Sequence, residues 1–94
     1  MRISIFGLGY VGAVCAGCLS ARGHEVIGVD ISQDKIDLIN LGKSPIVEPG
    51  LGELLAQGIQ NGRLRGTTNF ASAIRESDLS MICVGTPSKK NGDL

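Results

Sequence analysis

The 94-residue sequence is poor in several features that would indicate a particular function. It has no net charge, with nine Lys or Arg and nine Asp or Glu residues, so it offers no general attraction to a nucleic-acid backbone or an anionic membrane. Aromatic residues make up only 3% of the chain. The three cysteines are an odd number, and no secretion signal is recognisable, which argues against a disulfide framework. We therefore expect a cytoplasmic protein with neither a nucleic-acid nor a membrane partner.

Glycine, in contrast, is abundant, with 14 residues. Residues 3–21 carry no formal charge and are long enough to cross a bilayer. Four glycines interrupt this run, and each costs about 1 kcal/mol relative to alanine inside a helix. We therefore divide the run into a strand at residues 2–6, a turn at 7–9 and a helix at 10–22.

The rest of the chain alternates between predicted strands and predicted helices. Further strands are expected at residues 25–29, 64–68 and 79–84, with helices between them. Such alternation favours a parallel sheet. The first helix is expected to bury a stripe of larger apolar residues, namely Val11, Val14, Cys15, Cys18 and Leu19.

Local signals predict how the next two helices begin. Ser32 is placed to cap the second helix, with Ile31 and Ile36 packing together as a hydrophobic staple. Pro49 suits the first turn of the third helix.

Residues 7–12 read Gly-Leu-Gly-Tyr-Val-Gly, the G-x-G-x-x-G spacing of dinucleotide-binding turns. The motif follows a predicted strand, opens a predicted helix, and is followed by a second strand that ends at Asp30. Gly9 lets a pyrophosphate approach the backbone, and the amides of Tyr10 and Val11 point at it from the helix N-terminus. The expected fold class is therefore α/β: a partial Rossmann fold, with four parallel strands and helices on both faces.

Asp30 predicts NAD rather than NADP as the cofactor. Its carboxylate would accept hydrogen bonds from the adenosine ribose hydroxyls and would repel a 2′-phosphate. Lys35 follows in the first turn of the second helix. It either reaches the same ribose or is a solvated surface lysine, and the spacing alone does not choose between the two.

The cysteines do not form a recognisable site. Cys15 and Cys18 have C-x-x-C spacing, but both fall on the predicted apolar stripe of the first helix and no second pair exists. We expect them, and Cys83 in the fourth strand, to be buried and inert. No metal site is expected.

Several motifs together resemble the N-terminal domain of the UDP-glucose/GDP-mannose dehydrogenase family. They are the glycine turn, Asp30, the loop at residues 44–51 (Ser-Pro-Ile-Val-Glu-Pro-Gly-Leu), and Val-Gly-Thr-Pro at residues 84–87. The resemblance covers all 94 residues. It implies contacts with NAD at Tyr10, Val11, Asp30, Lys35 and Thr86.

The resemblance also implies an activity for the full-length protein, in the synthesis of polysaccharides such as alginate. Members of this family oxidise the C6 alcohol of a nucleotide sugar to a carboxylate in two steps, with two NAD and a catalytic cysteine. That cysteine belongs to a later region of the family's chain, so no catalytic residue is expected here. Residues 88–94 are most similar to members that convert GDP-mannose to GDP-mannuronate, and UDP-glucose is the alternative substrate.

Residues 1–94 are accordingly expected to be the N-terminal part of an NAD-binding domain, with the substrate and catalytic domains outside this chain. The full-length protein is expected to form a homo-oligomer, a dimer or higher. A non-catalytic module that senses NAD(H) is the competing interpretation, because such modules use the same fold and glycine motif.

Overall fold

The computed structural model describes residues 1–83, in which four strands alternate with four helices. The elements are β1 (Arg2–Phe6), α1 (Tyr10–Ala21), β2 (Glu25–Val29), α2 (Gln33–Asn40), α3 (Leu51–Gln60), β3 (Leu64–Thr67), α4 (Phe70–Glu76) and β4 (Leu79–Ile82). Within this part of the chain, no helix is long and apolar enough to span a membrane.

The strands form one parallel sheet in the order β3-β2-β1-β4. At the carboxyl end of the sheet, Phe6 of β1 is aligned with Val29 of β2 and Ile82 of β4. The chain therefore steps outward from β1 through β2 to β3, and then crosses back to place β4 on the other side of β1. This arrangement confirms the predicted α/β fold class.

Helices cover both faces of the sheet. One face, which we call the three-helix face, packs Ile3, Val26 and Leu64 against α1, α2 and α3. The other, the α4 face, packs Ile27 and Val29 with Ala73 of α4. Successive side chains of a strand point to opposite faces, which is why neighbouring residues such as Val26 and Ile27 belong to different cores.

The predicted buried stripe of α1 is only partly correct, because three of its five residues pack against the core and two are exposed. The buried residues of this helix are small, namely Gly12, Ala13, Ala16, Gly17 and Ser20. Val11 is 58% exposed and Cys18 is also exposed, whereas Val14, Cys15 and Leu19 are partly buried. The physical reason is the close approach of α1 to its neighbours, because a Cβ at Gly17 would lie 3.2 Å from the Leu54 Cβ of α3.

The predicted start of α2 is partly correct. The Ser32 hydroxyl accepts a hydrogen bond from the Lys35 amide at 3.3 Å, as expected for an N-cap. The hydrophobic staple is wrong, because Ile31 is 85% exposed while Ile36 is buried. Ser32 donates its amide hydrogen to Asp30, and this turn leaves Ile31 directed away from the core.

The third helix begins later than predicted. Gly50 is its N-cap in a left-handed conformation, with φ of 79°, and the first helical residue is Leu51. Pro49 therefore precedes the helix instead of lying in its first turn.

Candidate dinucleotide site

An open cavity of about 470 Å³ lies at the carboxyl ends of β1, β2 and β4. Its polar side is formed by Gly7, Gly9, Asp30 and Lys35. This volume is within the range of small-molecule sites in proteins. The position is also the expected one, because β2 and β4 flank β1 on opposite sides and create a topological switch point there.

The turn between β1 and α1 depends on its glycines for packing. Gly7 has φ of 98°, and its amide donates to the Val29 carbonyl at 2.8 Å, which ties the turn to β2. A Cβ on Gly12 would lie only 1.8 Å from the Gly7 carbonyl oxygen. A Cβ on Gly9 would have no atom of the described residues within 4 Å. Gly12 is therefore required by the protein's own packing, whereas Gly9 leaves space that a ligand can use.

Tyr10 and Val11 begin α1 directly after Gly9. The two residues are 57% and 58% exposed, respectively. The first amides of a helix have no carbonyl partner within the helix, and they carry the positive end of its dipole. Neither residue lines the cavity, although Gly9, directly before them, does. Contact of these two amides with a phosphate remains a prediction.

Asp30 is the most constrained side chain of the site. One carboxylate oxygen accepts from the Leu8 amide at 2.8 Å, and the other accepts from the Ser32 amide at 2.9 Å. The side chain is only 10% exposed. Asp30 therefore connects the glycine turn to the start of α2, a role that sequence spacing does not reveal.

The charge of Asp30 is stabilised by its surroundings. Burial alone would raise its pKa, but the amides of Leu8 and Ser32, together with the Lys35 cation, lower the pKa below the usual aspartate value. The carboxylate is ionised at neutral pH.

Lys35 belongs to the site. Its Nζ lies 4.0 Å from Asp30 Oδ2, and its side chain is 39% exposed. Lys35 therefore lies beside Asp30 at the cavity, and its contact with a ribose stays a prediction.

Thr86, the remaining predicted contact, lies outside the described residues, together with the rest of the Val-Gly-Thr-Pro motif. Its role stays a prediction.

The cysteines differ more than the sequence indicated. Cys18 is exposed, so the prediction that it is buried is wrong, while Cys15 and Cys83 are partly buried. Burial, followed by the neighbouring Cys15 thiol, raises the pKa of Cys83. Cys83 also lines the cavity, which makes it a neighbour of the site that the sequence analysis did not identify.

The parallel sheet, the glycine turn and the acidic residue at the end of β2 define a dinucleotide-binding domain of the doubly wound class. Residues 1–94 match the model of the UDP-glucose/GDP-mannose dehydrogenase family, NAD binding domain. The chain therefore belongs to this family, and the prediction of NAD as the cofactor is confirmed.

Individual relatives agree with this assignment. The chain is 86% identical to a GDP-mannose 6-dehydrogenase of Pseudomonas putida over all 94 residues, and 42% identical to a UDP-glucose 6-dehydrogenase of Rhizobium meliloti over 90 residues, or 96% of the chain. A crystal structure of a ternary complex of GDP-mannose dehydrogenase from Pseudomonas aeruginosa superimposes with a TM-score of 0.93, at 81% identity over the whole chain. The chain spans only 21–22% of the length of these proteins.

Proposed function

We propose that this chain is the N-terminal, NAD-binding part of a nucleotide-sugar 6-dehydrogenase that oxidises GDP-mannose to GDP-mannuronate. The observation that carries the proposal is the fixed Asp30 carboxylate beside the glycine turn. The choice of GDP-mannose is supported by the difference between 86% and 42% identity to the GDP-mannose and UDP-glucose enzymes.

The described residues fit NAD in their chemistry. An ionised carboxylate offers about four lone-pair positions, so Asp30 retains acceptors for the ribose hydroxyls after binding the amides of Leu8 and Ser32. Gly9 and the amides of Tyr10 and Val11 would receive the pyrophosphate. Lys35 would lie beside the ribose, and Thr86 would contact the cofactor from the end of the fourth strand.

Bound NAD supplies the hydride acceptor for the oxidation of the sugar C6 atom. The residues of this chain would bind and orient that cofactor. The catalytic cysteine and the sugar-binding residues are proposed to lie in the remainder of the full-length protein, which would act in the cytoplasm as a homo-oligomer.

Cofactor choice is tested on the full-length protein by measuring the dissociation constants of NAD and NADP calorimetrically. NAD should bind at least about tenfold more tightly, and Asp30→Ala should weaken NAD and remove the preference. Asp34→Ala is the matched control, because it removes the same charge from an exposed position of α2. Equal affinities for NAD and NADP in the parent protein would contradict the assignment.

Substrate choice is tested by NADH formation with GDP-mannose and with UDP-glucose. GDP-mannose should yield two NADH per sugar, and UDP-glucose should be the poorer substrate. Faster oxidation of UDP-glucose would exchange the two substrates. NAD binding without turnover of either sugar would favour the sensing module.

A further inference from the structure

The cavity also has an apolar side, which does not contact the ribose or the pyrophosphate in the proposed function. This side is lined by four apolar residues, Phe6, Ile31, Phe70 and Ile82, whereas the glycine turn and Asp30 form the polar side. Phe70 comes from the start of α4, far along the chain from the glycine motif, and no sequence motif marks it.

Phe70 is held more firmly than the other apolar side chains that reach solvent there. Its ring meets the Phe6 ring edge to face, with centroids 5.5 Å apart and an interplanar angle of 76°. Its backbone begins α4 directly after Asn69, whose side chain accepts from the Ser72 amide at 3.1 Å. Phe70 nevertheless remains 42% exposed, so part of an anchored aromatic ring is available to a ligand.

The next step rests on the proposed function. If Asp30 binds the adenosine ribose, the adenine base is bonded directly to that ribose and must lie against a neighbouring wall of the cavity. A planar base gains little from the polar turn, whereas an aromatic side chain offers it a stacking or edge contact. Ile31 and Ile82, at 85% and 75% exposure, have little packing to hold them in place.

We propose that Phe70 is the residue that recognises the adenine base, and that the Phe6 ring holds it in position. This contact should strengthen the binding of ligands that contain a planar base and should not affect ligands that lack one. The alternative is a purely structural role, in which Phe70 only covers the core of the α4 face. A structural role would lower stability and would weaken all ligands of the site to the same extent.

The experiment uses the full-length protein and measures dissociation constants for NAD, ADP and reduced nicotinamide mononucleotide, which lacks adenine. Phe70→Ala should weaken NAD and ADP about tenfold and leave the mononucleotide within twofold. Phe70→Trp keeps an aromatic face and should retain most of the affinity, whereas Phe70→Leu keeps apolar volume alone and should lose several-fold. The Leu variant also serves if the Ala variant is too unstable to measure.

Ile74→Ala is the matched control. Ile74 lies one turn further along α4, is 56% exposed, and lines a neighbouring depression of the α4 face. Its removal should leave all three dissociation constants unchanged. The inference is overturned if Phe70→Ala and Ile74→Ala bind NAD equally well, or if Phe70→Leu retains as much affinity as Phe70→Trp. If the parent protein binds neither NAD nor ADP, the proposed function itself fails, which is a distinct result.

Discussion

The two faces of the sheet differ in how much apolar surface they bury. On the three-helix face, eleven residues form one buried cluster, whereas the α4 face has three buried residues with Phe6 packed beside them. The α4 face also leaves Ile74 and Ile82 56% and 75% exposed, respectively, among the described residues. Parallel sheets are normally covered on both faces.

This difference assigns separate tasks to the two faces. The three-helix face supplies most of the buried apolar area, and with it most of the folding free energy of residues 1–83. The α4 face contributes the apolar wall of the ligand cavity. Substitutions should therefore separate stability from binding according to the face they alter.

Gly12→Ala should have the largest effect on stability, because the glycine turn and α1 are packed most closely at this position of the three-helix face. The new Cβ would lie 1.8 Å from the Gly7 oxygen and 2.9 Å from the Gly7 carbon, and backbone atoms cannot swing aside as a side chain can. We expect a loss of about 3 kcal/mol or more in unfolding free energy, together with loss of NAD binding. Thermal and urea unfolding of the full-length protein would measure it.

Gly9→Ala is the control for this prediction. Its Cβ would meet no atom of the described residues within 4 Å, so stability should change little while NAD binding weakens. A Gly12→Ala protein as stable as the parent would show that the turn is looser than the distances indicate.

Leu55→Ala and Ile74→Ala compare the two faces directly. Leu55 is fully buried on the three-helix face, whereas Ile74 is 56% exposed on α4. Leu55→Ala should cost about 2–5 kcal/mol through lost burial and a cavity, and Ile74→Ala should stay within about 0.5 kcal/mol of the parent. Equal losses in urea unfolding would remove the distinction between the faces.

The sequence predicts the strands better than the faces of the helices. β1 and β2 have the predicted bounds, because short apolar runs there end at a glycine turn or at Asp30. The core face of α1 was predicted only in part, because hydrophobicity favours Val11 and Cys18, while close packing selects Gly12 and Ala16. Small residues bury little area of their own, so their role becomes visible only when the neighbouring helix is placed.

The candidate site shows the same division. Asp30 follows from its spacing after the glycine motif, and its type has a chemical reason. Its hydrogen bonds to Leu8 and Ser32 depend on how two loops approach each other, which spacing does not contain. Phe70 reaches the cavity only through the crossover that brings the start of α4 beside Phe6.

Asp30→Ala tests whether a residue that lines the cavity also stabilises the three-helix face. Asp30 accepts a hydrogen bond from the amide of Leu8, and the Leu8 side chain belongs to the core of that face. At neutral pH the loss should be about 1.5–3 kcal/mol, because a buried charged acceptor of two amide hydrogen bonds disappears. The pKa of Asp30 is lowered in the folded state, so its contribution is complete above the unfolded-state pKa of about 3.9 and is lost as pH falls through the lower folded pKa.

The measurement is the difference in unfolding free energy between parent and variant as a function of pH. That difference should be constant from about pH 7 to 5 and should shrink below about pH 4. A difference that grows on acidification would mean that the neutral acid is the stabilising form.

The smallest effect is expected at the thiols, which compare the outer and inner sides of α1. Cys18 is exposed and Cys15 is partly buried on the same helix, so a thiol reagent should label Cys18 first. Cys18→Ser should leave stability within about 0.5 kcal/mol of the parent, as for other surface positions.

Cys83 should react slowly at neutral pH and faster in alkaline solution. The thiolate is the reactive form, and burial together with the Cys15 thiol raises the pKa of Cys83. Peptide mass spectrometry over a time course resolves all three sites, and bound NAD should slow the labelling of Cys83, which lines the cavity. Labelling of Cys15 as fast as that of Cys18 would show that the inner side of α1 opens to solvent, and that the three-helix face is less tightly closed than its packing indicates.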